Sequence, residues 1–373
     1  MGESRIFGEG AQNEGAEMTI RFGLIGSGYI NRGYAAGLRI GQVPDGELVA
    51  IAGGRRAPAL AAEFGAEAEP TVEALMARKD IDAVIIGSPH TAHLPQTRMA
   101  AAAGKHVYTE KPMAVSVAEC DAMIEACRAA GVKLGVNKVL RFRIAPKAAK
   151  ELIDDGVIGD VRMIQARGSW TEFFLKDVVG DDGRIIIPAK LWAMDPAEGS
   201  QYLDYGVHCN DIIRWYSGSE AKLCFARYHT FGTPPPPDLT AMVTYEMANG
   251  VIATVLMTYE LPEPGINPAD VTFIIGSKGM IDCDQYGKVK YTTGGEWKLY
   301  KEQPAFDFLK DYLDPNRLLG FSAQVQDFAR AIIDDREPAV TGWDGRQAVE
   351  MANAADESAR TGESVRLPMA TGA

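Results

Sequence analysis

The chain has 373 residues, 46% of them apolar and 24% charged, with a formal net charge of −12. That length predicts two or three domains, the composition is that of a globular protein, and no apolar run reaches the length of a membrane span. The acidic balance, without any run of basic residues, argues against nucleic acid and membrane and leaves a small molecule or another protein as partner.

Residues 1–17, MGESRIFGEGAQNEGAE, are polar and glycine-rich and predict a disordered arm with neither a secretory apolar segment nor twin arginines. Order is expected from residue 19. A buried strand over 19–25 runs into Gly26 and Gly28, and the following helix carries Ile30, Tyr34 and Leu38 on one face. ELVAIAGG predicts a strand, TVEALMAR a helix capped by Thr71, DAVIIGSP a strand, HLPQTRMAAAAG a helix and KHVYTEKP a strand. SVAECDAMIEACRAAG opens with a capping box, Ser116 and Glu119, and VKLGV follows as a further strand. Strict alternation with continuously apolar strands predicts a doubly wound parallel α/β sheet.

After about residue 156 the pattern changes. VRMIQARG, AKLCFARYHTFG, TAMVTYEM, VIATVLMTYE, VTFIIGS and MIDCD predict strands in near succession, with hairpin-like turns at ANG and SKG and one helix around 205–217. This is a mostly antiparallel α+β second domain. Closing helices are expected near 320–333 and 343–359, on either domain, and the prolines at 234–237 predict a stiff loop. The expected partition is an arm at 1–17, a first domain at 18–140, a second at 141–340, and a closing helix and tail at 341–373.

Gly26-x-Gly28, directly after a strand and opening a helix with Tyr29 and Ile30, has the context of a dinucleotide site. Glycines let the backbone approach a pyrophosphate, and a helix N-terminus offers free N–H groups. Asn31 stands where a third glycine is usual. At the end of the second strand an acid would hold the ribose of NAD, whereas arginine would accept the 2′-phosphate of NADP. Here Gly53 and Gly54 are followed by Arg55 and Arg56, which favours NADP over NAD.

Glu110, Lys111 and Pro112 follow the fourth predicted strand, at the carboxyl edge where parallel sheets bind ligands. In GSQYLDYGVHCND, Asp204 and His208 stand one helical turn apart, so a carboxylate could orient an imidazole. His90 and His93 follow the third strand and suit a cofactor contact. No third ligand accompanies them at plausible spacing, so no metal is expected. The five cysteines, Cys120, Cys127, Cys209, Cys224 and Cys283, form no C-x-x-C, which fits a reducing cytoplasm rather than a disulfide framework or zinc ribbon. His106 and His229 fall within predicted strands and read as structural.

The G-x-G turn, AVIIGSPHTAH, GKHVYTEKP and a D-x-x-x-H in the second domain together resemble the Gfo/Idh/MocA oxidoreductase family, over residues 19–368 and including the closing TGWDGRQAVEMANAADESARTGESVRLP. The resemblance implies a Rossmann domain, an open-faced antiparallel α/β domain and a nicotinamide in the cleft between them. It implies that Lys111 is the catalytic lysine, positioned by Glu110 and a Pro112 whose preceding bond is often cis. Ser88, Pro89 and His90 fall where the family has T-P-N, so His90 is a departure, while His93 matches a common family histidine. Asp204 and His208 match the second-domain pair. A sugar, inositol or related cyclic polyol is the implied substrate, and a homodimer or homotetramer the implied assembly.

On this reading His208 is the general acid/base, Asp204 holds its ring, and Lys111 stabilises developing alkoxide. Arg141 and Phe142 in LRFR, and Trp192 in PAKLWAMDPAEG, are candidate cleft residues. Two alternatives stay open: a glycosidase using bound NAD for transient oxidation, and a nucleotide-binding regulator without catalysis.

Overall fold

The computed structural model describes residues 18–169, 177–179, 183, 185–189, 191–232, 238–261, 270–307 and 310–369. The arm expected at 1–17 and the prolines at 234–237 lie outside the described residues.

The first domain alternates strand and helix: β1 (Ile20–Ile25), α1 (Tyr29–Arg39), β2 (Gly46–Ala52), α2 (Ala57–Phe64), β3 (Glu67–Ala68), α3 (Val72–Ala77), β4 (Ala83–Ile86), α4 (His93–Ala102), β5 (His106–Thr109), α5 (Val117–Ala130) and β6 (Leu134–Val136). Its six strands form one parallel sheet in the order β3-β2-β1-β4-β5-β6. The order reverses between β1 and β4, both buried on two faces, so their carboxyl ends open a crevice there. Thr71 caps α3 as expected, accepting from the Ala74 N–H. At α5 only half of the capping box forms. Ser116 accepts from the Glu119 N–H, but the Glu119 carboxylate accepts from Val115 instead of Ser116.

The second domain contains α6 (Ile144–Asp154), β7 (Val161–Ser169), the two-stranded β8 (Val178–Val179) and β9 (Ile185–Ile187), and α7 (Gln201–Ser217). Then come β10 (Ala221–His229), β11 (Thr240–Met247), β12 (Ile252–Thr258), β13 (Val271–Gly276), β14 (Met280–Asp284), β15 (Lys288–Thr292) and β16 (Lys298–Glu302). The chain closes with α8 (Pro315–Ile333), α9 (Gly342–Thr361) and β17 (Val365–Arg366). A nine-stranded sheet in the order β16-β15-β14-β13-β7-β12-β11-β10-β17 is antiparallel except where β7 meets β12. The hairpins at ANG and SKG form as expected, and α6, α7 and α9 cover one face.

Helix α8 lies within the 141–340 span yet packs on the first domain. Phe321, Val325 and Phe328 join Phe22, Leu24 and Tyr34 in one core. Helix α9 packs against both α5 and α7, joining the domains, and begins with a complete capping box between Thr341 and Asp344. All five cysteines are free and buried. Among the described residues no helix is long and apolar enough to cross a membrane.

Candidate active site

The turn after β1 is built for close approach. Gly26 has φ +103°, and a Cβ there would sit 2.8 Å from the Gly87 carbonyl oxygen at the end of β4. Asn31, at the position of the absent third glycine, donates from Nδ2 to the Ile25 and Gly26 carbonyls at 2.8 and 2.9 Å, locking the turn from below. Gly28 caps α1 without a side-chain hydrogen bond, and no acid occupies the first turn, which leaves the N-terminal N–H groups for an anion.

These glycines open a cavity of about 560 Å3. Gly26, Gly28, Tyr29, Ile30, Arg55, Arg56, Ser88, Pro89, His90, Glu110 and Lys111 all line it, with Trp192 and Asp204 on the second-domain side. Its size, glycine cradle and uncapped helix fit a dinucleotide. Arg55 and Arg56 are exposed on its rim. His93 is fully buried and does not reach this lining. Its Nδ1 faces the Pro112 and Met113 carbonyls and its Nε2 the Ser88 carbonyl, so it ties the loop after β4 to the loop after β5. Burial and neighbouring His90 push its pKa down to about 4, so the ring is neutral and only one nitrogen donates. His106 is structural as expected, its Nδ1 accepting from the Lys133 N–H.

Lys111 precedes a cis peptide bond to Pro112. Glu110 accepts from the Tyr34 hydroxyl at 2.6 Å, from Asn137, and from the Lys111 N–H at 3.0 Å, which anchors the loop. The Lys111 ammonium donates across the domain boundary to the Asp204 carboxylate at 2.8 Å and to the Asp204 carbonyl at 2.6 Å. His90 approaches the same carboxylate at 3.5 Å, donates from Nδ1 to the Glu198 carbonyl at 2.8 Å, and meets the Trp192 ring edge-on.

A smaller cavity, about 140 Å3, shares Tyr29, Ile30, Glu110, Lys111 and Asp204 with the first and adds His208. Asp204 and His208 lie one turn apart on α7, but the Asp204 carboxylate accepts from Lys111. His208 Nδ1 is buried with no hydrogen-bond partner among the described residues. The cation at Lys111 outcompetes a neutral imidazole for the carboxylate. Burial first, and then the positive Lys111 and Lys138, hold the His208 pKa well below 6.5. Lys138 is itself buried, donates to the Val207 carbonyl, and is pushed down to about 8 by desolvation.

Arg141 lines neither cavity. Asp211 holds it at 2.7 and 2.8 Å and Asp344 at 3.0 Å, in a structural ion-pair network. Arg143, two residues on, takes the wall position expected of Arg141. Tyr259, Asp270, Tyr286, Tyr312 and Arg317 also line the smaller cavity. Sequence reasoning missed these, because they arrive from separate strands and loops and carry no local motif.

The chain matches two family descriptions: "Oxidoreductase family, NAD-binding Rossmann fold" over residues 20–138, and "GFO/IDH/MocA C-terminal domain" over residues 147–282. It is 28% identical to 1,5-anhydro-D-fructose reductase of Ensifer adhaerens, covering 93% of this chain and 98% of that protein. It is 27% identical to inositol 2-dehydrogenase of Rhizobium meliloti, covering 91% and 97%. Its fold superposes on the crystal structure of an aldose-aldose oxidoreductase from Caulobacter crescentus with a TM-score of 0.77 at 25% identity, covering 94% and 100%. With both domains matched and a glycine cradle leading to Lys111, the chain belongs to the Gfo/Idh/MocA family and is an NAD(P)-dependent oxidoreductase.

Proposed function

We propose that the protein transfers hydride between a nicotinamide cofactor in the larger cavity and a CH–OH group of a sugar, inositol or related cyclic polyol in the smaller one. The observation that carries this reading is the shared wall: Lys111 and Asp204 line both cavities, and His208 lines the one beside them. In the oxidative direction a nicotinamide held in the larger cavity would supply the hydride acceptor for the carbinol carbon, and the hydroxyl proton must leave. His208 is held neutral by its surroundings and takes that proton. Lys111, fixed by Asp204, stabilises the negative charge growing on the oxygen. Asp204 is thus a positioning residue for the lysine more than for the histidine. Glu110 acts one step further back, on the loop.

NADP is the preferred cofactor on this reading. Gly53 and Gly54 end β2 without a carboxylate that would repel a 2′-phosphate, and Arg55 and Arg56 flank that point. Replacing both arginines by serine is expected to cut the NADP-to-NAD ratio of kcat/KM by about 10-fold or more, and an unchanged ratio contradicts the assignment. We further propose a homo-oligomer that covers the open sheet face, where Met163, Met242, Ile252 and Leu256 are exposed. The reaction class is tested by mixing purified protein with NAD or NADP and a panel of sugars, inositols and cyclic diols. Net formation of reduced nicotinamide supports the reading. Cofactor binding without net reduction on any substrate would favour the glycosidase or the regulator.

A further inference from the structure

The far wall of the smaller cavity carries two guanidinium groups that the hydride-transfer scheme does not use. Arg143 is 5% exposed and Arg317 is 7% exposed. Half-buried Arg141 is neutralised by Asp211 and Asp344, and buried Arg214 by Glu220 and Asp344. Arg143 and Arg317 form no ion pair among the described residues, and Arg143 Nε is buried without a hydrogen-bond partner. Asp270 in the same lining acts on Arg143 from beyond ion-pair distance, so the guanidinium edges stay open to a ligand that can pair with them directly.

Aromatic faces hold both groups in place. The Arg143 guanidinium lies 4.4 Å from the Tyr286 ring centroid and 5.3 Å from that of Phe306. Arg317 lies 3.7 Å from the Tyr312 centroid, 4.9 Å from that of Phe321, and donates to the Tyr312 carbonyl at 2.8 Å. Stacking occupies the planes and leaves N–H edges for a ligand. The acids in the same lining hydrogen-bond to other groups, Glu110 to Tyr34 and Asn137, Asp204 to Lys111, and Asp270 to the Tyr205 hydroxyl, and none forms an ion pair with either arginine among the described residues.

We infer that the substrate of this site is a carboxylated polyol or sugar, an aldonic or uronic acid, whose carboxylate is bound by Arg143 and Arg317 while a CH–OH group faces Lys111 and His208. The inference rests on the hydride-transfer reading above and adds the substrate's charge to it. A carboxylate matches the guanidinium edge in shape. A phosphate ester would bring nearly twice the charge and more bulk into a cavity of about 140 Å3 whose wall already holds three carboxylates.

The test compares kcat/KM of the wild-type protein, with saturating cofactor, for gluconate, glucuronate and galacturonate, for glucose, galactose and myo-inositol, and for glucose 6-phosphate. The expected result is that an acid exceeds its uncharged counterpart by about 10- to 100-fold, the range that charged hydrogen bonds supply. In R143Q and R317Q that acid-to-neutral ratio falls by about 10-fold or more. The wild-type ratio decides the matter even if a variant fails to fold. Equal or better turnover of the neutral compounds, or a preference for the phosphate ester, overturns the carboxylate assignment and leaves the hydride-transfer reading standing. Net cofactor reduction with none of the compounds overturns that reading, and the substrate assignment with it.

Discussion

On the proposed reading, Lys111 and His208 act on each other as well as on a substrate. The ammonium is one of the charges that keep the imidazole neutral, second only to burial. As a base in polyol oxidation, His208 works in its neutral form, which is lost only as pH falls through its lowered pKa. The kcat for oxidation is therefore expected to remain near its plateau at pH 6.5, where a free histidine would be about half protonated. Lys111→Met removes a positive neighbour, so it should move the acid limb of the profile to higher pH as well as lower the plateau. An acid limb that stays in place would contradict the coupling. The motif legible in sequence found Lys111, Asp204 and His208, but not their pairing. Spacing puts Asp204 and His208 on one face of α7, while the choice of Lys111 as the carboxylate's partner is made by a loop 93 residues away. Arg141 and Arg143 show the same limit. They lie two residues apart in LRFR, and only the packed fold decides which meets acids and which meets the cavity.

Elements that the sequence announced are those with strong apolar periodicity or continuous apolar runs, such as β1, β4 and the hairpin strands of the second sheet. Helices α2 and α6 are not among them, although α6 is amphipathic. Their buried faces are built largely from alanine, with Leu60 and Leu152 as the large exceptions, and each carries a proline near its start. Strand β16 is exposed at every residue and reads as polar loop. At the join of α7, β10 and α9, Asp356 accepts from the Ser200 hydroxyl at 2.8 Å and from the Tyr228 hydroxyl at 2.9 Å. Burial nevertheless pushes its pKa up to about 7. The folded form thus keeps a proton that the unfolded chain gives up near pH 4, and this contribution to stability is lost as pH rises through 7. Asp356→Asn keeps an acceptor for both hydroxyls and removes the charge. Its advantage over wild type is expected to grow by about 2.5 kcal/mol between pH 5 and pH 8, measured by urea unfolding. A gap independent of pH would count against the assignment.

Across the whole molecule the two domains were legible, but the boundary was not, because α8 leaves the second domain to pack on the first and α9 joins the two. Buried neutral His93 adds a global acid sensitivity of opposite sign to Asp356. Above pH 6.5 it is neutral folded or unfolded; below, the unfolded chain takes up a proton that the fold refuses until about pH 4, a loss of about 3 kcal/mol. On the open sheet face Met242 pairs across strands with Leu256, which in turn neighbours Arg167. Leu256→Glu in that patch is expected to yield a smaller assembly by light scattering, whereas an unchanged mass would place the interface elsewhere.

Hydride transfer at the wall shared by the two cavities is checked by measuring reduced nicotinamide formed by wild type, Lys111→Met and His208→Asn with the best polyol substrate. The expected loss in kcat is about 100-fold or more for Lys111→Met and about 100-fold for His208→Asn, with cofactor affinity retained in the histidine variant. Wild-type turnover in both variants would contradict it.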